Sequence, residues 1–127
     1  MRETKDRKNK LYKSFGYAFE GIGNTILHER NMQIHCTVTV LVVIFGFILK
    51  ISLLEWFVCL LLFALVLSLE LVNTALEAVV DLVTTEKKPL AKKAKDAAAG
   101  AVLMSAIIAA ILGGIIFFPK LWVFIFG

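Results

Sequence analysis

Two cysteines, Cys36 and Cys59, are all that the chain contains. Both sit in apolar runs, with no C-x-x-C and no metal-ligand spacing, so they read as small buried thiols and not as a redox pair or a metal centre. Proline is equally scarce. Pro89 suits the first turn of a helix, and Pro119 with Lys120 marks the far interface of the last apolar run. No G-x-x-x-x-G-K-[ST] is present, and Gly21-Ile22-Gly23 lacks the third glycine of G-x-G-x-x-G, which excludes a P-loop or protein-kinase-like phosphate cradle. A secretory signal is not expected either. The first apolar run begins only after some thirty residues, and no small-residue cleavage site follows it.

What is present is hydrophobic length. Apolar residues make up 59% of the 127, and mean hydropathy is +0.82, well above soluble averages. The excess lies in long runs, so the expected class is an all-α membrane protein forming one domain, 1–127. The net charge of +4 is clustered. Six basic residues precede Ser14 and five lie between Lys87 and Lys95. Basic clusters flanking apolar spans mark cytoplasmic segments, which predicts a multi-pass protein of the cell membrane with its N-terminus cytoplasmic. Nucleic acid is not an expected partner, because most of the chain cannot be in water.

Residues 1–9 read as a frayed polar tail. From about 10 to 27, Leu11, Phe15, Phe19, Ile22 and Ile26 recur at helical spacing, which predicts an amphipathic surface helix weakened by Gly16, Gly21 and Gly23. Membrane helices follow at about 32–49, 53–84 and 90–118, each long enough for a bilayer. The second is the longest, and its excess length projects on the cytoplasmic side. The third opens on Ala97-Ala98-Ala99-Gly100-Ala101 and carries the small-xxx-small pairs Ala106/Ala110, Ala109/Gly113 and Ala110/Gly114, which let helix backbones approach closely. His28 and His35 read as interfacial or packing residues. Trp56 reads as an interface anchor.

Within the second span, Leu69 to Asp81 carries three carboxylates and an amide. At ~100° per residue, Glu70, Asn73, Glu77 and Asp81 fall within about 80° of arc. Charge in lipid is costly, so this face must look into protein or a wet cleft. Glu29, Lys95 and Asp96 lie at the same membrane surface. Carboxylates plus lysine at one interface match phosphoryl transfer. Acidic groups hold Mg2+, the metal and lysine neutralise phosphate oxygens, and a base takes the proton of the attacking hydroxyl. A base below the lipid surface reaches the hydroxyl of a lipid while a nucleotide docks from the cytosol. One protomer of three spans cannot enclose Glu70 and Glu77 by itself, so oligomerisation is expected.

The stretches Glu70-Leu71-Val72-Asn73-Thr74-Ala75-Leu76-Glu77-Ala78-Val79-Val80-Asp81 and Pro89-Leu90-Ala91-Lys92-Lys93-Ala94-Lys95-Asp96-Ala97-Ala98-Ala99 closely resemble the prokaryotic diacylglycerol kinase family. The likeness runs from about Lys10 to Phe118. Glu29-Arg30-Asn31, Leu54-Glu55-Trp56 and the Pro89 stretch resemble its Gram-positive branch, whose members act mainly on undecaprenol. The resemblance implies a homotrimeric bundle, with a surface helix and three transmembrane helices in each protomer. It implies ATP and Mg2+, with membrane lipids as surroundings and a lipid alcohol as acceptor, undecaprenol or else diacylglycerol. It implies Glu70 as general base, Asn73 holding the site's hydrogen bonds, and Glu29 and Glu77 as Mg2+ ligands. Asp81, Lys95 and Asp96 would meet the nucleotide, with Tyr17 and the loop Glu86, Lys87 and Lys88 lining its pocket. Lys10 stands where some members have Arg, and keeps a point charge without bidentate geometry. His35 stands where the Gram-negative branch has an acid.

Two other classes compete. A proton-coupled transporter would cycle a proton on Glu70, but the outer halves of the spans lack the polar residues of a through path. A non-catalytic assembly subunit would be indifferent to amides at Glu77 or Asp96.

Overall fold

The computed structural model of the chain describes residues 2–127. They form four helices in the order α1 (Arg2–His28), α2 (Arg30–Ile48), α3 (Leu53–Val83) and α4 (Pro89–Phe126). Helices α2, α3 and α4 are long and apolar enough to cross a membrane.

Helix α1 begins at Arg2, within the segment expected to fray, and ends at His28. Residues 2–9 contain no glycine or proline, and Lys, Arg and Glu are good helix formers, so nothing local stops the helix. It also passes through Gly16, Gly21 and Gly23, where an added Cβ would meet nothing within 4 Å. No packing inside the protomer therefore requires glycine there. The helix ends at Glu29, whose backbone turns extended (φ −99°, ψ 116°). Two donors cover the carbonyls left open at that end. Glu29 N–H reaches Thr25 O at 2.9 Å, and Gln33 Nε2 reaches Leu27 O at 3.1 Å.

The α2–α3 turn is closed by backbone geometry. Lys50 N–H bonds Phe47 O at 3.4 Å, and Ile51 N–H bonds Gly46 O at 3.1 Å. This is the paired pattern that ends helices on a left-handed residue, here Lys50 at φ 52°. Ser52 then caps α3 in a reciprocal box with Glu55. Trp56 lies on Phe47, with ring centroids 4.9 Å apart, and covers Gly46. A Cβ on Gly46 would sit 2.6 Å and 2.8 Å from two indole carbons. Gly46→Ala is therefore expected to displace Trp56 and cost about 1–3 kcal/mol. Thermal unfolding in detergent measures it, and an unchanged midpoint would contradict the close approach.

Helices α3 and α4 form an antiparallel hairpin with the most extensive packing in the molecule. An ion pair ties each end. Lys95 Nζ meets Asp81 Oδ1 at 2.6 Å near the turn, and Lys120 Nζ meets Glu55 Oε2 at 3.4 Å at the other end. In the register that these pairs set, Ser105 lies at the depth of Glu70. Both are buried, and Ser105 Oγ donates to Val102 O at 2.8 Å within its own helix. The small-xxx-small residues of α4 do not mediate a close helix approach within the protomer: Ala106, Ala109, Ala110, Gly113 and Gly114 line an open apolar groove, and a Cβ on Gly113 or Gly114 would meet nothing within 4 Å.

Helix α4 runs to Phe126, eight residues past the expected end at 118. Pro119 lacks an N–H and so removes one helical bond, but the ring contact Trp122–Phe126 (4.6 Å) and the Lys120–Glu55 pair hold the continuation. This pair also places charge at the end of α3 and α4 remote from their turn, in a half of the spans read from sequence as lacking the polar residues of a through path. Few apolar side chains are buried within one protomer: Met32, Ile51, Cys59, Val66 and Val102. The long apolar helices turn most of their surface outward, as lipid or neighbouring helices require.

Candidate functional site

The site is built on one face of α3. An uninterrupted helix puts Glu70, Asn73, Thr74 and Glu77 on adjacent turns of that face. Glu70 is 2% exposed and Asn73 is buried, so one protomer encloses Glu70 by itself, against the expectation that it could not. Asn73 Nδ2 donates to Glu77 Oε1 at 3.3 Å, which holds the Glu77 carboxylate toward Glu70. Among the described residues, three polar atoms here are buried without any hydrogen-bond partner: Glu70 Oε2, Asn73 Oδ1 and Thr74 Oγ1. Buried polar atoms are normally satisfied. Three orphans on two turns of one helix mark a place prepared for groups that arrive from outside.

Helix α2 supplies the opposing wall. His35 Nε2 stands 3.9 Å from Glu70 Oε2. His35, Glu77 and Glu29 are ionisable neighbours of Glu70, so the junction between α1 and α2 brings Glu29 into the same cluster. Both Glu29 and Glu77 are half-buried. Sequence reasoning gave His35 a packing role, whereas the fold sets its ring against the central carboxylate. Its neighbour Cys36 is a free thiol.

Nearer the α3–α4 turn the groups are exposed. Asp81 pairs with Lys95, and Lys92 Nζ pairs with Asp96 Oδ2 at 2.5 Å. Glu86 and Lys88 are 3.8 Å apart in the loop, and Lys87 is exposed between them. Lys10 and Tyr17 are exposed on α1. Among the described residues no hydrogen bond or ion pair ties either of them to the acidic face. The sequence candidates thus separate into a buried set (Glu70, Asn73, with Glu77 and Glu29 at its rim) and a solvent-facing set (Asp81, Glu86, Lys87, Lys88, Lys95, Asp96).

A third feature is apolar. An apolar groove of about 640 Å³ runs between α2 and α4 over α3. His35 lines it, then Val38, Phe45, Val66, Ala109 and Gly113 along its length. The groove and the buried carboxylate therefore share a side chain.

The donor set was weighed against a divalent ion. Among the described residues no three His, Cys, Asp or Glu side chains converge as a metal cage. Mg2+ does not need one. It is commonly bound by one or two carboxylates together with waters and phosphate oxygens. Glu29 and Glu77, both near Glu70, fit that demand.

Comparison with known proteins gives a consistent result. Residues 16–117 match the family described as prokaryotic diacylglycerol kinase. The undecaprenol kinase of Bacillus subtilis is 48% identical over 122 residues, covering 94% of this chain and 99% of that protein. A diacylglycerol kinase of Synechocystis is 44% identical over 87% of this chain, which spans 64% of the longer relative. A diacylglycerol kinase of Haemophilus influenzae is 31% identical over 85% of this chain and 92% of its own length.

Proposed function

This chain belongs to the prokaryotic diacylglycerol kinase family, and from that premise we propose that it is a membrane lipid kinase transferring the γ-phosphoryl of ATP to undecaprenol. The observation that carries the reading is the buried Glu70 carboxylate, its Oε2 unpartnered beside the head of an apolar groove. A lipid alcohol can lay its first apolar units in that groove and bring its hydroxyl to Glu70. The identity to a relative named undecaprenol kinase, over nearly the full length of both chains, favours the polyprenol over diacylglycerol.

In this reading Glu70 takes the hydroxyl proton as the lipid oxygen bonds the γ-phosphorus. The bond to the β–γ bridging oxygen breaks, and ADP leaves toward the cytosol. Asn73 holds Glu77 in place through its amide. Glu29 and Glu77 are the residues that would hold Mg2+, which when bound neutralises charge on the phosphate oxygens. Lys95 leaves Asp81 to meet phosphate, and Asp81 and Asp96 keep the lysines of the turn oriented. Tyr17, Lys10 and the loop Glu86, Lys87 and Lys88 border the nucleotide.

The protein sits in the cell membrane with its N-terminus cytoplasmic, following the basic clusters. It works as a homotrimer. The half-exposed Glu29 and Glu77 and the outward apolar faces of α1, α3 and α4 leave walls that neighbouring copies supply. On α1, Leu11, Phe15 and Phe19 are exposed in the isolated protomer, as a helix lying on the membrane surface requires.

The test is label transfer from γ-labelled ATP to undecaprenol or diacylglycerol in mixed micelles. Faster transfer to undecaprenol is expected. Faster transfer to diacylglycerol reassigns the acceptor, and no transfer to either alcohol overturns the kinase reading. Lys95→Met adds a second check. Its pair with Asp81 is largely exposed, so stability should change by less than about 1 kcal/mol. Loss of a charged contact to phosphate should raise KM for ATP by about tenfold or more. An unchanged KM removes Lys95 from the nucleotide site.

A further inference from the structure

A base that is shut away from water must also be able to lose its proton. Each transfer leaves one proton on Glu70, whose side chain is 2% exposed. Among the described residues, Glu70 Oε2 has no hydrogen-bond partner that could take it. An ionisable atom within reach is His35 Nε2, 3.9 Å away on α2, and that side chain is 22% exposed. The other charges acting on Glu70 are Glu77 on its own helix and Glu29 at the α1–α2 junction. Among the described residues, the charged groups that face Glu70 come from α2, α3 and the α1–α2 junction. Histidine ordinarily titrates near neutral pH, and its two ring nitrogens let a proton enter at one and leave at the other.

We propose that His35 is the proton exit of Glu70, carrying the acceptor's hydroxyl proton from the buried carboxyl to water. The inference rests on the kinase reading above and deepens it. The lipid O–H bond breaks and a Glu70 O–H bond forms. That bond then breaks as Nε2–H forms on neutral His35, and the imidazolium releases its Nδ1 proton to water. Exchange with water moves the remaining proton from Nε2 to Nδ1 and restores the starting tautomer. The 3.9 Å gap exceeds a hydrogen bond and closes by a side-chain rotation of about 1 Å or through one water, as such contacts tighten when a substrate is bound. His35 does not touch the reacting atoms in this scheme. It is a positioning residue that acts through Glu70.

The experiment compares wild type, His35→Ala and His35→Gln as purified full chains with Mg-ATP and undecaprenol. Each is checked first for Mg-ATP binding, which reports a folded site. His35→Ala should lose about a hundredfold in kcat, the lower end of what acid–base groups contribute, with KM for ATP unchanged. Added imidazole should restore the rate in proportion to its concentration. His35→Gln fills the space and can hydrogen-bond but cannot carry a proton, so it should be equally slow and insensitive to imidazole. Wild-type kcat in either variant overturns the proposal. So does a loss in His35→Ala that imidazole leaves untouched, and so does failure of both variants to bind Mg-ATP, which makes the role structural. A wild-type protein inactive on both alcohols sinks the parent reading. Active wild type with imidazole-indifferent His35→Ala sinks this inference alone.

Discussion

Glu70→Gln is expected to reduce kcat by about 10²- to 10⁴-fold, the range general-base groups supply, with the protein still folded and assembled. The exchange is nearly isosteric and removes only the capacity to accept a proton as an anion. Among the described residues, Glu70 Oε2 makes no hydrogen bond that would be lost. Burying a carboxylate is costly where its partner is imperfect, and His35 at 3.9 Å is such a partner. The amide should therefore unfold no earlier than wild type, and a midpoint raised by the equivalent of about 1 kcal/mol is expected. Single-turnover transfer and thermal unfolding in the same detergent separate the two effects. Retained transfer would remove Glu70 as the base. A lost fold would mean that the charge is structural.

The second large effect is expected at Glu77. Glu77→Gln preserves an acceptor for Asn73 Nδ2, so the contact at 3.3 Å persists and the α3 face stays ordered. What disappears is one of two carboxylates near the phosphates. Changes around metal sites typically cost 10- to 100-fold in affinity or activity, so the Mg2+ concentration for half-maximal rate should rise at least about tenfold. Excess Mg2+ should recover part of kcat, whereas it should recover none in Glu70→Gln. Equal Mg2+ titrations of Glu77→Gln and wild type would take Glu77 out of the metal site.

These two residues were legible in the sequence because their signal is local. A carboxylate inside an apolar run is expensive in lipid wherever the helix packs, and the helical period puts Glu70, Asn73 and Glu77 on one face. The same reasoning located three apolar helices and the turn at Pro89. It failed at both ends of the chain. Polar residues 2–9 can be read as tail or helix, and α1 takes them up. Pro119 reads as a stop, yet α4 continues to Phe126 because Lys120 finds Glu55 and Trp122 finds Phe126.

His35 shows the deeper limit. It lies thirty-five residues from Glu70 on another helix, in a segment with no motif of its own, and a lone histidine in an apolar run fits packing as well as chemistry. Its position six residues after Glu29 fixes only its depth, about 9 Å along α2 from that end, and depth does not say which helix it faces.

The sequence alone determined the composition of the membrane spans and the acidic face of α3, because hydrophobic length, helical period and the cost of buried charge are properties of each segment alone. Only the tertiary structure decided the α3–α4 register tied by Asp81–Lys95 and Glu55–Lys120, the seating of Trp56 on Gly46, and the approach of His35 to Glu70. Those depend on how far one helix slides and turns against another, and many weak contacts acting together set that displacement.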